Sequence, residues 1–431
     1  MTSKLSTNAP TSALPMAPPA GMYDLLPPEA EGHAQMRAAI MALFASYGYE
    51  RVATPPFEHA EVLERGIETV DRRDLLRFVE PDTGEVALLR PDITPQIARI
   101  VATRLSERPG PHRLSYVGTV MRRRRGRTRR QQQISQTGIE CVGIAGVHAD
   151  AEVIELAARS CEAVGLRAFR IELGQVGVAR AVLADVPEPA RDEIATAVAA
   201  KDASRLDGHL RTCGLKKAER RRVIALTELY GDATILRQAR RILGGNSTIT
   251  AALDGLEAVV EQAQDRLGSG LLIDLGELRG QAYYTGVSFH VLAAGPGESV
   301  GAGGRYDHLL SRYGSPSPAT GMALHLGNLA WALAHEGSPI RPAPALRVLS
   351  VGTRPELDEL RERGAQVAVL PIDLAAARSS RGALAYARAW GYDLVLSGKA
   401  PKATRISDGS SHRLSSESSI FDALKALVES S

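Results

Sequence analysis

The strongest constraint on the fold is a run of arginines set between two strand-like segments. Seven of the nine residues from 122 to 130 are arginine. Residues 114–121 before the run and 136–142 after it have the β-branched and apolar content of strands, so the pattern predicts a hairpin with a basic tip. Repulsion among the guanidinium groups favours a phosphate, an RNA or an acidic partner surface at that tip. A solvated tip without a ligand is the alternative.

The charge of the chain is local rather than global. Its 431 residues allow two to three domains, and the formal net charge is only +3. Positive charge is concentrated at 122–130, with a second cluster from Lys216 to Arg222. The molecule is therefore not basic as a whole.

The number of cysteines and the hydropathy of the chain limit the cellular location that we expect for it. Cys141, Cys161 and Cys213 are too few and too scattered for a disulfide framework or a zinc site, so we expect a reducing cytoplasm and no metal or cofactor. No run of eighteen apolar residues occurs, so no membrane span is expected. Residues 1–20, rich in Ala, Pro, Ser and Thr, are predicted to be a disordered extension.

Periodicity and turn residues predict the order of elements in a first domain at 21–337. Pro55-Pro56 interrupts the first strand and predicts an edge or an interface there. The predicted helices are Glu29–Tyr47, Ile93–Leu105, Ala151–Val164 with Asp150 as N-cap, a helical insertion at 176–265, and a buried closing helix at 319–335. The predicted strands are Tyr49–Glu58, Leu75–Glu80, Glu85–Arg90, the two flanks of the arginine run, Gly270–Asp274 and Tyr284–Leu292.

A Pro-rich stretch at 338–345 predicts a linker. Beyond it, at 346–431, strands alternate with helices, which predicts a small α/β domain with a mostly parallel sheet. The predicted strands are 346–352, 366–372 and 393–397, and the predicted helices are 355–363, 381–390 and 418–429.

Gln136 and Glu140 lie four residues apart on a predicted strand, so their side chains share a face. A carboxylate and an amide oxygen can both accept hydrogen bonds from an α-amino group. A polar pair satisfied within the sheet is the alternative, because unpartnered polar groups are costly to bury.

A strand that ends at Arg90 is followed by Asp92 and Thr94, where a helix is predicted to begin. Asp92 is either the cap of that helix or a ligand-facing group at the carboxyl end of the strand. Further on, Arg279 precedes a glycine, and Tyr283-Tyr284 opens a strand. These tyrosines serve either packing or hydrogen bonding. Gly301-Ala-Gly-Gly-Arg305-Tyr-Asp307 allows close ligand approach, but it lacks the Lys-Ser/Thr of a P-loop, so we reject a nucleotide-phosphate loop.

Taken in order, these motifs resemble the class II aminoacyl-tRNA synthetases, and histidyl-tRNA synthetase most closely, over residues 20–335. The arginine run and Gln136–Glu140 resemble motif 2, and Pro55 falls where motif 1 has its dimer-interface proline. Leu-Arg-Pro-Asp92-Ile-Thr94, Arg279-Gly-Gln-Ala-Tyr-Tyr284 and Gly-Gly-Arg305-Tyr-Asp307 complete the set. The resemblance implies an α+β fold: an antiparallel sheet core with flanking helices, followed by a degenerate anticodon-binding-like α/β domain.

Two departures affect the positions that serve ATP. Motif 2 of a synthetase reads Phe-Arg-x-Glu, whereas Arg124 stands here at the glutamate position and cannot accept a hydrogen bond. Motif 3 ends in Gly-Leu-Glu-Arg, whereas His325-Leu326-Gly327-Asn328 stands here, and neutral Asn328 cannot replace the arginine charge. The resemblance therefore implies a lost adenylation activity and a retained amino-acid pocket.

That combination resembles the regulatory-subunit family of short-form ATP phosphoribosyltransferases. It implies a non-catalytic, allosteric homodimer that pairs with a short catalytic subunit, activates it and takes part in histidine feedback on histidine biosynthesis. The histidine pocket implied by the resemblance consists of Asp92, Thr94, Arg122, Gln136, Glu140, Arg279, Tyr283 and Tyr284, with Arg122 facing the ligand carboxylate. An active histidyl-tRNA synthetase, or a tRNA-binding paralogue that uses the arginine run, is the alternative, although tRNA is not the expected partner.

Overall fold

The computed structural model describes residues 17–67, 74–123, 132–278, 283–338, 346–372, 379–398, 401–414 and 419–429. It divides into two compact units, residues 1–340 and residues 341–431. Most of the predicted N-terminal extension and most of the predicted linker lie outside the described residues, as do Arg124–Arg130 of the arginine run.

The first unit is built on a nine-stranded, largely antiparallel sheet, as predicted. Its strands lie in the order β1-β5-β6-β12-β11-β10-β7-β9-β8, and the pairs β1/β5 and β7/β9 are parallel. The strands are β1 (Glu50–Arg51), β5 (His112–Met121), β6 (Gln133–Val142), β7 (Phe169–Gln175), β8 (Tyr230–Gly231), β9 (Leu271–Asp274), β10 (Val287–Ala293), β11 (Gly301–Arg305) and β12 (Ala319–His325). A separate three-stranded sheet, ordered β2-β4-β3, consists of β2 (Phe57–His59), β3 (Arg77–Val79) and β4 (Val86–Leu89).

Helices cover one face of the large sheet and fill the insertion. They are α1 (Glu29–Ser46), α2 (Ala60–Gly66), α3 (Thr94–Arg104), α4 (Val147–Ala163), α5 (Val176–Leu183), α6 (Glu188–Ala199), α7 (Ala203–Thr212), α8 (Lys217–Glu228), α9 (Ile235–Leu243), α10 (Ser247–Leu267) and α11 (Leu326–His335). Helix α1 buries Met36, Ile40 and Phe44 at four-residue spacing, and Gly48 follows it at φ +79°. The predicted first helix is thus confirmed, and the region predicted as a helical insertion contains α5 to α10 with the short strand β8.

Two local predictions are wrong. Residues 319–335 are not one helix, because Ala319–His325 completes the sheet by pairing with strands on both sides. Asp150 is not the cap of α4: the helix begins at Val147 after Gly146, whose φ is +88°. The predicted strand Tyr49–Glu58 is interrupted around the prolines, as expected, and its two parts, β1 and β2, each lie at the edge of a sheet.

The two faces of the large sheet differ in side-chain size. One face carries large apolar side chains such as Ile139, Phe289 and Leu324, which belong to the main core shared with the helices. The other face carries small residues where neighbouring strands meet. Gly138 pairs with Ala323, which also pairs with Ala302 on β11. These small side chains leave open space above the sheet.

The second unit is an α/β domain with a five-stranded sheet in the order β14-β13-β15-β16-β17. Its elements are β13 (Arg347–Val351), α12 (Glu356–Glu362), β14 (Gln366–Leu370), α13 (Ser379–Ala389), β15 (Leu394–Ser397), β16 (Lys402–Arg405), β17 (Ser411–Arg413) and α14 (Ile420–Glu429). The three predicted strands are parallel, as expected. The antiparallel pair β16/β17 was not predicted from the sequence.

Within the described ranges, no helix combines the length and the apolar character needed to cross a membrane.

Candidate functional site

A cavity of about 710 Å³ lies over the small-residue face of the large sheet. It is lined from the strand end before α3, from β6, β10 and β12, and from the segment that leads into β10. The described members of the predicted histidine pocket that line it are Asp92, Thr94, Arg122, Gln136, Glu140, Tyr283 and Tyr284. Arg279 lies outside the described residues, so its predicted role stays a prediction.

Two residues just after the strand end, Asp92 and Thr94, line the cavity. Asp92 Oδ1 accepts hydrogen bonds from the backbone N–H groups of Ile93 (2.8 Å) and Thr94 (3.4 Å), which begin α3. Asp92 Oδ2 accepts from the Tyr283 hydroxyl at 2.8 Å, and this tyrosine comes from a different part of the chain. The two interpretations of Asp92, as a helix cap and as a cavity group, are therefore compatible. One carboxylate oxygen accepts from the backbone at the start of α3, while the other lies on the side of Tyr283 and the cavity.

Glu140 is the most deeply buried acid of the cavity, with an exposed fraction of 1%. Its Oε1 accepts from the hydroxyl groups of Thr94 (2.6 Å) and Tyr116 (3.2 Å), and its Oε2 accepts from the Tyr306 hydroxyl. Burial raises the pKa of Glu140 to about 8, and the three hydrogen bonds oppose that shift only in part. The carboxyl group is therefore poised to change protonation near neutral pH when a cationic group approaches.

The surrounding phenols remain neutral hydrogen-bond donors. Burial, followed by the nearby Glu140 charge, raises the pKa values of Tyr116 and Tyr306 well above the ordinary range. Burial raises the pKa of Tyr283 too, with Asp92 as the next cause. Tyr283 packs edge-on against both Tyr284 and Tyr306, so these rings form a rigid aromatic wall.

Sequence reasoning missed Tyr116 and Tyr306 as members of the site. Tyr116 is the cross-strand partner of Gly138, midway between Gln136 and Glu140. Strand alternation in the predicted hairpin could have identified it. Tyr306 lies beside Arg305 in the glycine-rich motif, but the approach of its hydroxyl to Glu140 depends on long-range folding.

Glycine is required where β6 and β12 meet beneath the carboxylate. A Cβ added to Gly321 would collide with the side chain of Glu140, its cross-strand partner. A Cβ added to Gly138 would lie 2.5 Å from the Tyr116 hydroxyl. The cavity therefore depends on bare backbone at these two positions.

Arg122, which was predicted to face the ligand carboxylate, lines the cavity beside Arg123. Its Nε donates to the Pro91 carbonyl at 2.5 Å, which ties the hairpin to the strand end. Among the groups that line the cavity, the buried carboxylates of Asp92 and Glu140 together with Arg122 suit a zwitterion that carries an additional N–H donor.

The positions that serve ATP in a synthetase present no replacement charge among the described residues. Asn328 is buried in α11, where its Nδ2 donates to the Ser299 carbonyl at 2.8 Å. Gly327 precedes it in the same helix and offers no side chain. Arg124, the third altered position, lies outside the described residues.

Arg305 and Asp307 pair at 3.0 Å, and this pair serves the scaffold. Arg305 also binds Asp150 at 2.9 Å, and both side chains are only 8% exposed. It donates to the carbonyl groups of Ile144 and Gly146 as well, which holds the loop before α4 against β11. Asp150, predicted to be a helix cap, is thus the buried partner of this arginine.

One group of side chains has the donor chemistry for a divalent cation. Ligand atoms of Glu172, Glu277 and His290 lie within 4.8 Å of one another. Glu172 and His290 are direct cross-strand partners on β7 and β10. All three side chains also take part in other interactions, so the geometry gives a possible cation site without assigning a metal to it.

Comparison with known proteins places this cavity in a family context. The family model for histidyl-tRNA synthetase matches residues 21–329. The ATP phosphoribosyltransferase regulatory subunit of Anaeromyxobacter dehalogenans is 40% identical over 349 residues, which cover 79% of this chain and 99% of that protein. The protein of the same name from Moorella thermoacetica is 40% identical over 321 residues, which cover 74% of this chain and 82% of that protein.

Solved structures give the same fold. A structure from Bacillus halodurans, described as an ATP phosphoribosyltransferase regulatory subunit/histidyl-tRNA synthetase, has a TM-score of 0.74 at 26% identity, covering 85% of this chain and 97% of that one. Histidyl-tRNA synthetase from Nostoc sp. PCC 7120 has a TM-score of 0.77 at 20% identity, covering 96% of this chain and all of that one, a likeness of fold alone. The chain has the class II synthetase fold and belongs to the histidyl-tRNA synthetase-like family, within it to the regulatory subunits of ATP phosphoribosyltransferase.

Proposed function

We propose that this chain is a non-catalytic subunit that activates a short-form ATP phosphoribosyltransferase catalytic subunit and carries histidine feedback on the first step of histidine biosynthesis. Family membership supports the regulatory role. The partner supplies the chemistry on ATP and phosphoribosyl pyrophosphate, and this chain supplies the effector site. One observation carries the assignment of that site: two buried carboxylates, Asp92 and Glu140, share a cavity with Arg122.

Histidine matches this cavity group by group. Its ammonium and its imidazole N–H are donors for the two buried acids, and its carboxylate is an acceptor for Arg122. The hydroxyl groups of Tyr283 and Thr94 already hold the acids in place, so little ordering is required on binding. We expect Arg279 and Tyr284 to complete the pocket.

Synthetase activity is absent in this proposal. Adenylate formation needs fixed positive charge on the triphosphate, and removing such a contact typically costs about 3–4 kcal/mol of transition-state stabilisation. Asn328, at the position of the motif 3 arginine, is neutral and already bonded to the Ser299 carbonyl. The amino-acid groups therefore persist without the groups that would activate the amino acid.

A homodimer through the segment around Pro55 is part of the proposal. Pro55, Pro56 and Phe57 are exposed on this segment. The buried side chain of Arg90 donates to the carbonyl groups of Thr54 (2.9 Å) and Pro55 (3.0 Å), just before the strand end that carries Asp92.

Gln96, buried in α3, also donates to the Pro55 carbonyl, at 3.0 Å, and Arg99 on the same helix binds Glu58 at 2.8 Å. Residues 90–99 thus contribute Asp92 and Thr94 to the pocket and also make the hydrogen bonds to the exposed segment. A histidine-dependent shift of that stretch would reach the surface.

A cytoplasmic site of action completes the proposal, and the three free thiols fit it. Transfer RNA is not a partner in this scheme. The arginine run would meet the catalytic subunit or a polyphosphate instead, as its charge suggests.

Reconstitution tests the proposal. The chain is titrated into a purified short-form catalytic subunit, and the formation of phosphoribosyl-ATP is followed with and without histidine. We expect a higher turnover that histidine suppresses. Asp92→Asn should abolish the suppression, whereas Asp82→Asn, in an exposed turn, should leave it unchanged. A complex that forms without any change in rate or histidine sensitivity would refute the role.

Two further assays separate the alternatives. Histidine-dependent ATP–pyrophosphate exchange would identify an active synthetase, and we expect none. Binding of tRNA that falls steeply with salt would identify an RNA-binding paralogue. We expect no tRNA binding even at low ionic strength.

A further inference from the structure

Buried Gln136 and half-buried His325 form a pair in the wall of the cavity. They are direct cross-strand partners on β6 and β12, and both line the cavity. Nε2 of Gln136 lies 3.0 Å from Nε2 of His325. Gln136 is only 1% exposed, and its Oε1 has no hydrogen-bond partner among the described residues. A buried acceptor without a partner points to a donor on a bound ligand.

In the structure the nitrogen end of the Gln136 amide faces His325, which leaves the oxygen end for a ligand. An amide nitrogen only donates, so with Nε2 of Gln136 against the imidazole, Nε2 of His325 must accept and the ring proton must lie on Nδ1. The carbonyl oxygen of Gln136 is then left to accept. If the amide were reversed, its NH₂ group would face the ligand and would repel an ammonium group.

We propose that His325 is a positioning residue, which fixes the Gln136 amide with its carbonyl oxygen towards the ammonium group of the ligand. This inference rests on the proposed binding of histidine in the cavity. It assigns a role to a side chain that the sequence motifs counted only as a departure from the synthetase pattern. His325 acts through Gln136, and its effect is selectivity for an amino group.

The side chains of β12 explain why this position can do so. On the cavity face the strand presents Gly321 and Ala323 and then His325. The two small residues leave the floor open, while the imidazole reaches across to β6. A leucine at 325 would keep most of the bulk but would offer no acceptor, so the amide of Gln136 could take either orientation.

Two probes report the orientation of the amide. L-Histidine presents an ammonium group, which only donates. Its α-hydroxy analogue, imidazole lactate, presents a hydroxyl group, which donates or accepts and therefore tolerates either orientation. Both affinities are measured by calorimetry on the full chain and expressed as a ratio. The two probes differ in charge by the same amount for every variant, so a change in this ratio reports on the contact with the amino group.

We expect His325→Leu to weaken histidine binding about tenfold, equivalent to about 1.4 kcal/mol, with little change for imidazole lactate. Gln136→Leu should reduce the same selectivity, and the double variant should lose no more than Gln136→Leu alone, because both act through one hydrogen bond. His325→Met, whose thioether only accepts, should recover part of the selectivity. Thermal unfolding of each variant checks that the fold is intact.

The outcomes are distinct. If wild-type protein binds neither probe, the proposed function fails, and this inference fails with it. If histidine binds and His325→Leu keeps both affinity and selectivity, the positioning role is wrong while the proposed function stands. A uniform loss for both probes in His325→Leu, without rescue by His325→Met, assigns the residue to packing and likewise overturns the inference.

Discussion

Histidine binding should release a proton from Glu140, and this prediction tests the chemistry of the cavity directly. Burial raises the pKa of this carboxyl group to about 8 in the free protein. An ammonium or imidazole N–H that binds the carboxylate favours its charged form and lowers that pKa. Near pH 7 the group is about 90% protonated when free, so binding should release up to about 0.9 proton.

The affinity should rise with pH for the same reason. The carboxylate form is about 1% of the free protein at pH 6 and about 50% at pH 8. Because the apparent dissociation constant scales inversely with the competent fraction, it should fall by about 50-fold over this interval. The imidazole of the ligand titrates in the same range, so a single pH profile would mix two groups.

The variant Glu140→Gln separates them. It is uncharged at every pH, whereas the titration of the ligand is common to both proteins. The ratio of wild-type to variant affinity should therefore rise about 50-fold between pH 6 and pH 8. Calorimetry in phosphate and in Tris, buffers with different ionisation enthalpies, measures proton release at pH 7. An affinity ratio that does not change with pH, together with a binding enthalpy independent of the buffer, would refute the reasoning.

Three further predictions concern the scaffold. Gly321→Ala should lower the free energy of unfolding in urea by about 1–3 kcal/mol and weaken histidine binding, because the added methyl group collides with Glu140. The control Gly327→Ala has open space around its Cβ and should be neutral or stabilising by up to about 1 kcal/mol in the same assay. Arg305→Met should cost about 3–5 kcal/mol in the same assay, since it leaves the Asp150 carboxylate buried without its partner; a loss below 1 kcal/mol would contradict this. Without ligand, Glu140 should contribute stability that is full below pH about 4.5 and is lost as the pH rises through about 8, because its pKa is raised in the folded state. Urea unfolding between pH 5 and 8 should therefore show a slope of up to about 1.4 kcal/mol per pH unit that Glu140→Gln lacks.

The sequence predicted those elements whose signal is local. Helix α1 and the hairpin β5/β6 follow from apolar spacing and strand alternation, and both occur where expected. The segment 319–335 failed because its apolar content fits a buried strand as well as a buried helix. Its pairing with β6 and β11, far away in sequence, decided between the two.

The candidate site shows the same division. Gln136 and Glu140 follow from alternation within one strand, and Asp92 and Thr94 from their place at a strand end. Their convergence in one cavity requires the strand order of the sheet, which a single sequence does not give. The contact between Tyr306 and Glu140, 166 residues apart, is of this kind. So is the pairing of Gln136 with His325 across 189 residues.

The burial that raises the pKa of Glu140 destabilises the charged carboxylate in the free protein, and this property suits an effector site. Removing the Glu140 carboxylate from water destabilises its charged form, so the empty cavity holds a proton that a cationic ligand displaces. An effector regulates only if it binds two states of the assembly with different affinity. Thr94, which donates to Glu140, begins α3, and Gln96 two residues later holds the Pro55 carbonyl. A change in the charge of Glu140 would therefore affect the start of α3, the helix whose Gln96 is hydrogen-bonded to the exposed segment around Pro55. A state in which that contact shifts would bind histidine differently, as feedback control requires.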